Sequence, residues 1–381
     1  MIREILRRIH AKEGNIIKIG ILTASRTNNN GTDLQALAMQ MMLNTIGVDA
    51  EIIDYKCKKL ERSHKICPHL STRDILKIPL RIFNNYTHYN FRKNNFKLSD
   101  KSYTEKNISK IEYDIIIVGS DQIWNLDITG YDINFFLPFD MKQAKKYSYA
   151  ASLGKTDLQI IEDNYSISNY LKDFQGVSVR EKSGVKALAE IGIQARHDLD
   201  PILMVDNKHW LKIIDKHYKK KKPYVLLYLV EHNAEIISRT KKFAKKHNLD
   251  VLMISQTLKI IEGVTIKRFV SIEKWITYMS NAELIITNSY HGLSFAIALE
   301  KSFRLVKLNK IIQRNTRMMG LLNDLGLEEF VADRMEFLGM TKPNWRKVNV
   351  LLSKRRLESS SYLSTIFSKI IAERISDRCT R

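Results

Sequence analysis

Cysteine is scarce in this 381-residue chain, which holds only Cys57, Cys67 and Cys379. An odd number without metal-site spacing argues against a disulfide framework and against a zinc site. Long apolar runs are missing too. No stretch approaches the roughly 18 uninterrupted apolar residues of a membrane span, and the amino terminus lacks the apolar core of a signal peptide. A cytoplasmic protein is therefore expected. Acidic side chains are in deficit: 62 Lys and Arg stand against 41 Asp and Glu, a formal net charge of +21. Such an excess draws a protein toward polyanions or anionic membrane. A general compositional bias toward Lys, Ile and Asn explains the same number equally well.

What is present reads as folded protein. Hydrophobic residues make up 44% and charged residues 27% of the chain, and its length suits two core-forming domains. Residues 16–24 predict a buried strand, followed by a polar loop to Gly31 and a helix over 33–46 that Thr32 or Asp33 can cap. A strand over 48–55 completes a βαβ opening. Residues 56–110 are polar and basic, with helices over 74–83 and 86–96, and read as an insertion above the ligand edge of the sheet. Strands are then expected at 113–119, 146–151, 176–180 and 195–200. The charged run 217–223, which ends in Pro223, reads as a linker.

Beyond it the alternation restarts, with strands at 224–230, 250–255, 265–269, 284–287 and 303–307. Helices are expected at 234–246, 272–281, 293–300 and 311–325. This predicts an α/β chain with two Rossmann-like domains, 1–217 and 218–342, facing across a cleft in the manner called GT-B. A helical tail, 343–381, is expected to pack back toward the first domain. At the amino terminus, Ile2, Ile5, Leu6 and Ile9 recur at helical spacing beside Arg3, Arg7, Arg8 and Lys12. Residues 1–12 thus suit either peripheral contact with an anionic membrane or packing on their own domain.

Chemistry-bearing residues gather at predicted strand ends. The apolar strand 284–287 runs directly into Asn288, Ser289, Tyr290, His291 and Gly292, which places an imidazole at a helix start where anions gather. Asn30 and Gly31 suit a tight strand-to-helix turn. Asp121, Gln122, Trp124 and Asn125 place a carboxylate, two amides and an indole in one loop, suited to sugar hydroxyls and ring stacking. Arg180 offers a planar guanidinium for a carboxylate or phosphate, or else an ion pair with Glu181 or another neighbour. The run from His197 to Pro201 looks like a metal cluster on paper, but a capped turn explains it better, and no metal site is expected.

These blocks resemble the polysaccharide pyruvyl transferase family: Asn30-Gly-Thr-Asp-Leu-Gln35, Gly119-Ser-Asp-Gln-Ile-Trp-Asn125, Ser148-Tyr-Ala-Ala-Ser152, Ser178-Val-Arg-Glu181, Asp200-Pro201 and Thr287-Asn-Ser-Tyr-His-Gly292. The resemblance implies transfer of the enolpyruvyl carbons of phosphoenolpyruvate onto two hydroxyls of a glycan or lipid-linked glycan, with no cofactor. It makes His291 the proton-transfer group or a phosphate ligand, Asp121 a candidate base in the acceptor cleft and Arg180 an anion ligand of the donor. Substrate contacts are implied for Asn30, Gly31, Gln122, Trp124, Asn125, Asn288, Ser289 and Gly292. Many relatives carry an arginine where this chain has Ser289. Either Arg304, Arg314, Arg317 or Lys307 replaces that charge, or the donor differs. A glycosyltransferase with a nucleotide-sugar donor is the alternative enzyme. A non-enzymatic reading rests on the basic surface alone, although nucleic acid is not an expected partner, since no aromatic and basic interleaving is present.

Overall fold

A computed structural model describes residues 17–66, 72–140, 144–154, 158–218, 222–308, 315–332 and 341–379, with side chains of the last helix described to residue 368. The amphipathic segment 1–12 and Arg314 lie outside these residues.

Short strands set the framework, with buried isoleucine and valine at its centre in β1, β2 and β4. β1 (Ile19–Leu22), β2 (Ala50–Lys56), β3 (Leu98–Thr104), β4 (Ile115–Val118), β5 (Lys145–Ser148) and β6 (Phe174–Gly176) form one parallel sheet in the order β3-β2-β1-β4-β5-β6. β1 and β4 are wholly buried, which is why they read as continuous apolar runs. The pair β7 (Ser178–Val179) and β8 (Arg196–His197) adds a small parallel ladder beside it. A second parallel sheet takes the order β11-β10-β9-β12-β13, from β9 (Tyr224–Tyr228), β10 (Asp250–Ile254), β11 (Thr265–Lys267), β12 (Leu284–Thr287) and β13 (Phe303–Leu305). The chain is thus α/β, with two Rossmann-like sheets and a cleft between their ligand edges, a GT-B-like arrangement.

Two expectations change here. Residues 56–110 are not simply an insertion: they contain β3, which pairs with β2 as the edge of the first sheet. Edge strands alternate weakly and carry charge, so the sequence of β3 gave no strand signal. The two helices expected over 74–96 are instead a short turn, Thr72–Leu76, and one 18-residue helix, Ile78–Asn95.

Helices α1 (Asn30–Thr45), α2 (Ile78–Asn95), α3 (Lys182–Glu190), α4 (Pro201–Met204), α5 (Ala234–Lys246), α6 (Ile272–Asn281), α7 (Tyr290–Ala298), α8 (Asn315–Leu325) and α9 (Trp345–Cys379) cover the sheets. α1 and α7 are buried almost all round, because each lies between the sheets and not on the outside. One apolar core therefore runs from Ile19 and Ile115 of the first sheet, through Leu34 and Leu293, to Leu226 and Ile285 of the second. α9 lies against the first sheet. Tyr362 Oη donates to the carbonyl of Ser148, and Arg356 Nε donates to that of Leu203. Among the described residues no helix is long and apolar enough to cross a membrane.

Candidate active site

In each sheet the strand order reverses beside the first strand, between β1 and β4 and between β9 and β12. Crevices at such points collect ligands at the carboxyl ends of the strands. Here the two crevices face each other and enclose a cavity of about 480 Å³. Thr32, Asp121 and Arg180 reach it from one side, and Tyr290, His291 and Arg317 from the other.

α1 starts where Asn29 Oδ1 accepts from the backbone N–H groups of Gly31 and Thr32. Asn29 is thus the cap, in place of the expected Thr32 or Asp33, and both of those are released for other work. Thr32 Oγ1 donates to Asp121 Oδ2 at 2.7 Å. Asp33 is fully buried and meets His88 Nδ1 at 2.6 Å and Arg92 Nη1 at 3.2 Å, which ties α1 to α2. Gly31 has a clear reason to be glycine: a Cβ there would stand 2.2 Å from His291 Nδ1. The histidine ring therefore lies directly on the first turn of α1.

His291 itself sits in the first turn of α7, which begins three residues earlier than the expected 293. Ser289 caps this helix by accepting from the N–H of Gly292. His291 Nε2 is buried and has no hydrogen-bond partner among the described residues. Burial lowers its pKa below the ordinary 6.5, and Arg180 and Arg317 add to that, against an opposing pull from Asp121 and Asp200. Burial thus favours the neutral form of the ring. Asp121 shows the reverse balance. Burial pushes its pKa up, but His291, Arg180 and the Thr32 hydrogen bond outweigh this, so it is lowered and the carboxylate stays ionised. Its backbone is left-handed, at φ 69°, a region that aspartate enters more readily than most residues.

Arg180 leaves β7 and is almost fully buried. It donates to Asp200 Oδ2 at 2.6 Å and stands 3.8 Å from Asp121 Oδ1. Asp200 also caps α4 through the N–H of Ile202, so the run from His197 to Pro201 is a capped turn. Glu181 does not pair with Arg180; its Oε1 accepts from Ser152 Oγ and from the N–H groups of Leu153 and Gly154. The Arg180 guanidinium lies 4.3 Å from the Tyr290 ring centroid, and that of Arg317 lies 5.6 Å from the same ring. Burial opposes the charge of Arg180, yet Tyr290, Asp200, Asp121 and Glu181 together outweigh it and raise its pKa. Burial and the neighbouring Arg180 lower that of Arg317. Guanidinium keeps its proton even so. Among the described residues Arg317 donates to Ser152 Oγ at 3.3 Å but forms no ion pair.

Several residues expected to touch substrate do other things. Trp124 is wholly buried, donates to the carbonyl of Phe135 and stacks on Phe136. It belongs to the core and cannot stack on a sugar, because an apolar indole gains more by burial than at a solvated loop. Asn125 is buried behind Gln122, to which its amide donates, while Gln122 lines the cavity. Asn288 lines the cavity but spends its amide as a clamp, accepting from Val230 N and donating to Glu231 O. Gly292 lies behind the site, where a Cβ would meet Thr287 Oγ1 at 2.4 Å. Asn30 faces a neighbouring cavity of about 630 Å³.

Of the described residues that could replace the missing arginine, Arg304, Lys307 and Arg317, it is Arg317 that lines the cavity. Arg304 donates instead to the carbonyls of Phe303 and Thr341. Sequence reasoning passed over Thr32 and Tyr290, though both stand inside the quoted blocks, and spacing gave no sign that α8 would deliver Arg317. Among the described residues no group of three His, Cys, Asp or Glu side chains is placed to hold a metal ion.

Solved structures with a similar course include the UDP-GlcNAc 2-epimerase of Methanocaldococcus jannaschii in complex with UDP-GlcNAc and UDP. It is 14% identical, with 93% of this chain and 100% of that chain covered and a TM-score of 0.48. The UDP-GlcNAc 2-epimerase of Neisseria meningitidis is 9% identical over 93% of this chain and 94% of its own, with a TM-score of 0.49. The glycosyltransferase SnogD of Streptomyces nogalater is 9% identical over 94% and 99%, with a TM-score of 0.43. No curated protein matches the sequence. The family model for polysaccharide pyruvyl transferase matches residues 29–308. That span begins at the cap of α1 and takes in Asp121, Arg180 and His291, and on this match the chain belongs to the polysaccharide pyruvyl transferase family.

Proposed function

We propose that the chain transfers the pyruvyl group of phosphoenolpyruvate to a sugar of a cell-surface polysaccharide or of its lipid-linked precursor. The observation that carries this reading is the convergence of two buried guanidinium groups, Arg180 and Arg317, on the cavity that holds the His291 imidazole. A donor with a carboxylate and a phosphate suits two cations of which only one is ion-paired. Arg317 then supplies the charge that Ser289 lacks.

In this reading His291 Nε2 takes the proton of the attacking sugar hydroxyl as its oxygen bonds to carbon 2 of the donor. The imidazolium then gives up that proton to carbon 3, which becomes a methyl group and leaves the ring neutral again. The second hydroxyl then closes the ketal as the carbon–oxygen bond to phosphate breaks, and its proton leaves with the phosphate. Asp121, ionised beside the ring, stabilises the imidazolium, while the arginines hold the charge that accumulates on the departing phosphate. The scheme calls for no metal and no organic cofactor. The proposed setting is cytoplasmic, at the inner face of the membrane when the acceptor is lipid-linked.

The test is donor identity. Purified protein with a glycan acceptor is expected to release inorganic phosphate from phosphoenolpyruvate. Release of a nucleoside diphosphate from an activated sugar, with phosphoenolpyruvate untouched, would overturn the proposal in favour of glycosyl transfer.

A further inference from the structure

α2 carries an apolar face that nothing among the described residues covers. Its inner side buries Leu80, Asn84, His88, Phe91 and Arg92. The opposite side presents Ile82, Tyr86 and Tyr89, which are 50%, 65% and 59% exposed, and the preceding turn adds Ile75 and Leu76 at 54% and 63%. These positions recur at helical spacing, so they form one stripe along the outer side of the helix.

Charge of one sign borders the stripe. Arg62, Lys65 and Lys93 are exposed around it. The acidic groups of the neighbourhood are already spent: Asp54 and Glu61 pair with Arg26, and Asp74 pairs with Arg81. A cavity of about 690 Å³ opens between the stripe and the end of β1, lined by Ile66, Ile82, Tyr86 and Tyr89 at its apolar side and by Ser25 and Arg26 at its floor. Ser25 directly follows Ala24, a residue of the catalytic cavity.

Exposed isoleucine and tyrosine, rimmed by cations that form no ion pair among the described residues, is the chemistry of a helix that lies in the headgroup region of an anionic bilayer. Tyrosine suits that depth because its ring is apolar and its hydroxyl is wet. We infer that the outer face of α2, with Arg62, Lys65 and Lys93, docks this protein onto an anionic lipid surface. The docking does not depend on the transfer chemistry. It points the mouth beside β1 toward the membrane, where a lipid-linked acceptor would present its sugar, and that consequence alone rests on the proposed function.

The test is sedimentation of the full chain with vesicles of phosphatidylcholine, with and without phosphatidylglycerol. Binding is expected only to the anionic vesicles. The variant Ile82→Ser/Tyr86→Ser/Tyr89→Ser and the separate variant Arg62→Glu/Lys65→Glu/Lys93→Glu should each lose it. A basic residue at such a surface contributes about fivefold, so the loss of three, with repulsion added by the glutamates, should weaken binding by at least roughly 100-fold. All substituted side chains are exposed, so thermal unfolding should stay unchanged, and so should phosphate release with a water-soluble acceptor. Wild-type binding by both variants would overturn the inference, as would loss only on charge reversal of Arg3, Arg7 and Arg8. Equal binding to neutral vesicles would overturn it too. So would a wild-type dimer that the stripe variant splits while neither form binds lipid, because the face would then belong to a second copy.

Discussion

His291 has three separate constraints: the first turn of α7 holds its backbone, the missing Cβ of Gly31 makes room for its ring, and Asp121 sits in its field. His291→Ala is expected to lower turnover by roughly 10²–10⁴-fold, the usual contribution of proton transfer. The pH profile follows from the sign of the shift. A base whose pKa is lowered keeps working below the ordinary histidine value of 6.5, so the acid limb of kcat/KM should lie beneath that pH, and a limb above it would contradict the assignment. Gly31→Ala should disturb the ring without touching substrate. Misplacement of a catalytic group by about 1 Å can cost on the order of 10²-fold, so kcat should fall while the KM for the donor holds. Arg317→Ala is expected to raise that KM by about 10–100-fold, the loss of hydrogen bonds to a charged group. Arg304→Ala should leave it unchanged, since that guanidinium is spent on backbone carbonyls. Among single residues, the sequence displayed His291, Arg180 and Asp121 because they stand at the ends of apolar strands. It misled at Trp124, because an indole in a polar loop looks exposed until the loop is seen to fold over Phe136.

At the scale of elements, legibility followed burial. α5, α6 and β12 were read to the residue, because periodicity or an unbroken apolar run marks them and polar groups bound them. β3 was lost, since an exposed edge strand has no such pattern, and the long helix α2 was read as two. The joint between α1 and α2 was hidden as well. Asp33 looks like a cap in the sequence, but in the fold it is the buried partner of His88 and Arg92. Removing one member of a buried charged group leaves the others uncompensated, at about 3–5 kcal/mol. Asp33→Ala should therefore destabilise the protein by that amount in urea unfolding. A change under about 1 kcal/mol would show that water reaches the joint.

At the scale of the molecule, one core joins both sheets, and α9 closes it from behind. Val348, Leu352, Leu363, Ile366 and Phe367 of that helix are all buried. Each is worth roughly 1.5–3 kcal/mol on burial, so their sum rivals the whole stability of a typical domain, about 5–15 kcal/mol. A chain ending before Trp345 should consequently fail to give a cooperative thermal transition. A sharp melt near the full-length Tm would show α9 to be dispensable. The facing sheets were legible from the doubled strand and helix alternation. Which arginine completes the cavity was not, because α8 meets β7 only through the tertiary fold. The most direct check of the central claim is proton NMR of the acceptor after incubation with phosphoenolpyruvate in deuterated water. Ketal formation predicts a new methyl signal bearing deuterium taken up at carbon 3, absent with His291→Ala. A product with no such methyl group, formed only when a nucleotide sugar is supplied, would contradict it.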